Sequence, residues 1–129
     1  MINTAKVYLA AIYTSWLPII IYLFGGFDGL LITLWVMMIL DYASGILKGF
    51  KRKNINSNRA YIGIRKKLLI LIIIAGGTIL DKVVPGLGIR NIILIFYTST
   101  EFLSITENAA AVGVPIPKKL KAALEQLQK

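Results

Sequence analysis

The sequence contains neither cysteine nor histidine. The first absence excludes a disulfide framework and thiol chemistry, and it removes redox state as a guide to compartment. The second removes the commonest acid–base group and metal ligand, leaving almost no donor set for a transition-metal site or a histidine-based catalyst. Acids are also scarce: six Asp and Glu stand against fifteen Lys and Arg, for a net charge of +9. No nucleophile–base pair, metal cluster or phosphate loop is visible, so the chain is not expected to be an enzyme or to need a cofactor. Gly76-Gly77 and Gly86-Leu87-Gly88 are lone glycine features, better read as a helix contact and a turn than as phosphate loops. A chain of 129 residues has room for one domain, 1–129, and no separate catalytic module.

Apolar length is what the chain does have. Fully 57% of its residues are apolar and the mean hydropathy is +0.72, well above the soluble range. Charges cluster at the edges of long apolar runs, as expected when those runs lie in lipid. A basic excess in a small protein often marks nucleic-acid binding, but this placement points instead to anionic lipid headgroups. The densest cluster is the stretch 48–67, which carries Lys48, Lys51, Arg52, Lys53, Arg59, Arg65, Lys66 and Lys67 and no acid. Cations in a short loop between apolar spans resist export and mark the cytoplasmic face.

That assignment orients the rest. Residues 7–24 are uncharged and as a helix would span about 27 Å, close to one bilayer core. Pro18 interrupts the run and no small-residue cleavage site follows, which disfavours a signal peptide. Gly25-Gly26-Phe27-Asp28-Gly29 reads as a tight outer turn, and 30–47 as a second span, uncharged except for Asp41. In the basic loop Asn54, Asn56, Ser57 and Asn58 are turn formers and a cap for a short helix leading into Arg65-Lys66-Lys67, and a third span covers 66–84. Its uncharged part, Leu68 to Leu80, is short, and Arg65 to Lys67 can snorkel at its inner end. Pro85-Gly86-Leu87-Gly88 closes a second outer hairpin, and 91–108 is the fourth and least apolar span. Gly113-Val-Pro115-Ile-Pro117 then stops the chain before a short amphipathic helix at 117–128, with Leu120, Leu124 and Leu127 on one side. The expected fold is an all-α integral membrane protein with four spans, or three if the first or fourth lies along the surface. Four spans place both termini in the cytoplasm, and the basic tail with Lys118, Lys119, Lys121 and Lys129 agrees.

Lipid should exclude the carboxylates of these spans, each of which costs roughly 2.5–3.5 kcal/mol at bilayer depth. On the fourth span Tyr97, Glu101, Ser104 and Asn108 fall on one helical face, with Thr100 and Glu107 beside it. On the second, Asp41, Ser44 and Gly45 form a smaller polar patch, with Lys48 one turn beyond. These groups either hydrogen-bond within one protomer (Asp41 to the fourth span or towards Lys48), line subunit contacts and a water-filled path, or relay protons.

The blocks Gly25-Gly26-Phe27-Asp28, Leu40-Asp41-Tyr42-Ala43-Ser44-Gly45, Gly63-Ile-Arg65-Lys66-Lys67 and Glu101 to Lys118 resemble, in order and spacing, the toxin-secretion/phage-lysis holins. The segment from Glu107-Asn108 to Gly113-Val-Pro115-Ile-Pro117 is the most specific, and Phe102 departs from the small residue usual after the glutamate. The resemblance implies a homo-oligomer of the bacterial cytoplasmic membrane whose lesions release a murein hydrolase or large toxin and lyse the host. It also implies no catalytic residues. Two rival functions share the sequence features: a small proton-coupled exporter, and an antiholin that regulates lysis timing.

Overall fold

The computed structural model describes residues 3–127 and 129, and every regular element among them is an α-helix. Helix α1 (Thr4–Phe24) is capped by the Asn3 side chain, runs through Pro18 and stops at Gly25, whose φ of 74° is left-handed. A side chain at Gly25 would also be crowded, because its Cβ would lie 2.9 Å from Arg90 Nε. Helix α2 (Gly29–Lys51) begins at Asp28, whose carboxylate accepts from Leu31 N and satisfies one of the orphan amides of the first turn. Helix α3 (Ser57–Val83) is capped by Asn56, and α4 (Ile89–Val112) ends at Gly113 with φ 103°. Pro117 precedes α5 (Lys118–Gln126).

Two contacts fix the relative direction of α2 and α4. Arg90 meets Asp28 where both helices start, and Lys51 donates to the Val112 carbonyl where both end. The two therefore run parallel and side by side, and α3 runs the other way. Helix α4 is the hub, since α2, α3 and α5 all pack on it, whereas α1 packs mainly on α3. The apolar core lies towards the ends where α2 and α4 begin: Leu31, Leu34, Ile74 and Leu94 are fully buried, with Met38 beside them. Gly77 permits the α3–α4 approach, because a Cβ there would meet Ile93 Cδ1 and Ile89 Cγ2. At the α1–α2 turn, Trp35 packs edge-on against both Phe24 and Phe27.

The stretch expected as a basic loop over 48–67 is mostly helix. Only Arg52–Asn56 is irregular, because Lys and Arg are good helix formers and Asn56 caps the next helix at once. Helix α3 consequently starts nine residues before the expected span, and α4 extends past both ends of 91–108. The expected end of the last helix at 128 falls on a residue outside those described. Among the described residues, α1 and α2 are long and apolar enough to cross a bilayer. The outer surface is apolar nearly all round: Leu9, Ile39, Leu47, Leu69, Ile72 and Ile92 are all exposed. A water-soluble bundle buries that kind of face.

Candidate functional site

Asp41 and Glu101 both lie twelve residues into their helices (29 to 41, 89 to 101), about 18 Å along the axis. Parallel α2 and α4 thus bring two carboxylates to one level. Lys67, reaching in from α3, lies between them, with Nζ 2.8 Å from Asp41 Oδ2 and 2.5 Å from Glu101 Oε2. Glu101 is 6% exposed and the other two side chains are largely covered. Asn108 completes the cluster from α4: its Nδ2 donates to Ser44 Oγ at 3.0 Å and to Asp41 Oδ1 at 3.3 Å. Ser44 in turn donates to the Asp41 carbonyl. A charged group buried without a partner is very costly, so this network ties three helices by necessity as well as by attraction.

A second polar centre sits where α2 and α4 begin. The Arg90 guanidinium grips Asp28 through both oxygens, at 2.8 and 3.0 Å, and Nε donates to the Phe24 carbonyl at 2.6 Å. Asp81, near the end of α3, accepts from the backbone amides of Ile89 and Arg90 and so caps α4. Lys82 donates to the Tyr22 carbonyl and stands 3.3 Å above the Tyr22 ring, holding the end of α1. The Arg90 hydrogen bond, helped by the Leu31 amide, holds the Asp28 carboxyl at about 2, below the usual range.

The sequence-predicted polar residues divide. Asp41, Ser44, Glu101 and Asn108 converge, and Ser104 lies with Asp41 and Asn108 along one cleft. Tyr97 packs instead against the apolar core, and Thr100 hydrogen-bonds back to the Phe96 carbonyl. Glu107 is exposed. Asp41 is not paired with Lys48; its cation is Lys67, grouped by sequence with the surface-facing basic residues but turned inward here. The others of that group, Lys48, Lys51, Arg52, Lys53, Arg59, Arg65 and Lys66, form no ion pair among the described residues. Sequence reasoning also missed Arg90 and Asp81. A signal was available: the first outer turn holds one acid, the second holds one arginine, and each stands at a helix start.

Residues 18–129 match the model of the bacteriophage holin family. An uncharacterised 14.9 kDa protein of Clostridium perfringens is 46% identical over 108 residues, covering 82% of this chain and 82% of that protein. A second uncharacterised protein, from C. perfringens strain 13, is 39% identical over 128 residues, covering 98% of this chain and 90% of its own length. A probable holin of Bacillus phage phi105 is 32% identical over 108 residues, covering 83% of this chain and 79% of that protein. No solved structure matches the chain. With the family model spanning the end of α1, the other four helices and the whole polar network, the chain belongs to the bacteriophage holin family.

Proposed function

We propose that this chain crosses the bacterial cytoplasmic membrane four times, with both termini in the cytoplasm, and assembles with copies of itself into lesions. Those lesions release a murein hydrolase or a large toxin and lyse the host. Family membership supports the role. Four crossings are supported by the lengths of α3 and α4, about 40 and 36 Å, and by their apolar outer faces. The basic 48–67 stretch supports the orientation.

The observation that carries the mechanism is the Lys67 network, buried inside a bundle whose outside is apolar. In lipid such groups require protein or water as partners. One small bundle encloses no wide channel, so a large opening takes many copies. In the compact protomer the polar faces of α2 and α4 are satisfied by α3. In a lesion the same faces are satisfied by water, once enough copies pack side by side to keep lipid away.

The test is induced expression in a bacterial host with a co-expressed murein hydrolase, following membrane potential and release of a cytosolic reporter enzyme. A delayed, abrupt depolarisation with enzyme release is expected. Sustained growth with an intact potential overturns the reading. Drug resistance would then identify an exporter, and delayed lysis beside a second holin an antiholin. Topology is read separately, because the chain has no native cysteine. Asn54→Cys should label from outside only after permeabilisation, whereas Leu87→Cys should label on intact cells.

A further inference from the structure

The end of α2, the 52–56 turn and the start of α3 enclose a cleft of about 290 Å³. Lys48, Arg52 and Arg59 line it, and none of the three has an acidic partner among the described residues. The acid in its lining is Asp41, already committed to Lys67 and Asn108. Three cations therefore face one cavity without compensation. The rest of the lining is mixed: Asn54, Asn56, Ser104 and Asn108 are polar, whereas Tyr42, Ile46 and Ile55 form an open apolar side, each at least 40% exposed. There is room inside, since a Cβ at Gly63 would meet nothing within 4 Å.

We propose that this cleft is a one-to-one site for an anionic phospholipid, with the headgroup phosphodiester held by Lys48, Arg52 and Arg59. Phosphate accepts charge-assisted hydrogen bonds from several cations at once, and the long Lys and Arg stems lie along apolar surface while their heads reach it. The open apolar side favours a lipid over free phosphate, because Tyr42 and Ile46 continue from the cleft onto the exposed face of α2, where an acyl chain can lie. This is a discrete site, distinct from the diffuse attraction of any basic surface to an anionic leaflet. It rests on the 52–56 turn lying at the membrane surface, which the Asn54→Cys labelling reports independently, and not on lesion formation.

The experiment is native mass spectrometry of the full chain in neutral detergent, titrated with phosphatidylglycerol, phosphatidylcholine or inorganic phosphate. One phosphatidylglycerol retained per protomer is expected. Lys48→Gln with Arg52→Gln and Arg59→Gln should weaken retention about tenfold or more, whereas the same changes at Lys118, Lys119 and Lys121 should alter it less than about twofold. Gly63→Phe fills the cleft while leaving every charge in place, and should abolish retention. Equal loss in the two charge triples, equal retention of phosphatidylcholine, or unchanged retention in Gly63→Phe would each overturn the site. Complete displacement by millimolar inorganic phosphate would overturn the lipid assignment.

Discussion

The two polar centres of the bundle solve different problems with similar residues. The Arg90 centre stands at helix ends, where carbonyls and amides already lack partners. Its acids serve twice, Asp28 capping α2 while pairing with Arg90, and Asp81 capping α4. The Asp28 side chain is 49% exposed, so water can replace what a mutation removes. The Lys67 centre stands mid-helix, with no free backbone groups to satisfy and little water. There, one ammonium serves two carboxylates on two helices. Redundancy at the first centre and a single shared cation at the second predict unequal responses to the same kind of change.

Lys67→Met should have the largest effect, because it leaves two carboxylates facing each other inside the bundle. Losing one partner of a buried pair costs about 3–5 kcal/mol. The loss should appear as unfolding at lower denaturant in detergent, followed by far-ultraviolet circular dichroism. Adding Asp41→Asn and Glu101→Gln should restore most of it; a triple variant as unstable as Lys67→Met would show that the side-chain stem, not the charge, matters. Arg90→Gln should follow at roughly 1.5–3 kcal/mol, the range for hydrogen bonds to charged groups, with most of the loss in the seating of α1. Asp28→Asn should cost less, since an exposed ion pair contributes little.

The smallest effect is a pH dependence at the first centre. Asp28 is lowered from 3.8 to about 2, so its contribution is present above pH ~4 and is lost as pH falls towards 2. Trp35, packed on Phe24 and Phe27 beside Asp28, should report that loss by fluorescence in a Trp16→Phe background. Asp28→Asn should abolish the change, and a transition of unaltered size in that variant would place its origin elsewhere.

Much of this was legible in the residues. Runs of uncharged apolar side chains bounded by Gly and Pro marked the helices, and the i, i+4, i+7, i+11 polar pattern from Tyr97 picked out Glu101 and Asn108. Lys67 was not legible in the same way. Its neighbours Arg65 and Lys66 face outward, and only the pitch of α3 distinguishes the third cation of that run as the inward one. Arg90 and Asp28 were hidden for another reason: they are 62 positions apart, and nothing local says that two outer turns meet. The helical character of 57–67 was legible in part. The Asn and Ser residues signalled a cap for a short helix leading into Arg65-Lys66-Lys67, but clustered cations suggested a loop, and the continuity of this helix with the third span was not legible.

The orphan of the bundle is α1. It has no buried residue, and the described hydrogen bonds that join it to the other helices fall at its last turn, from Lys82 to Tyr22 and from Arg90 to Phe24. In lipid, apolar surface does not choose between a neighbouring helix and an acyl chain, so greasiness cannot sort helices into partners. What sorts α2, α3 and α4 together is their shared lysine and the groups it satisfies. A helix without such a credential belongs to its bundle by covalent attachment and by one fastened end, and its company along the rest of its length is whatever the membrane supplies.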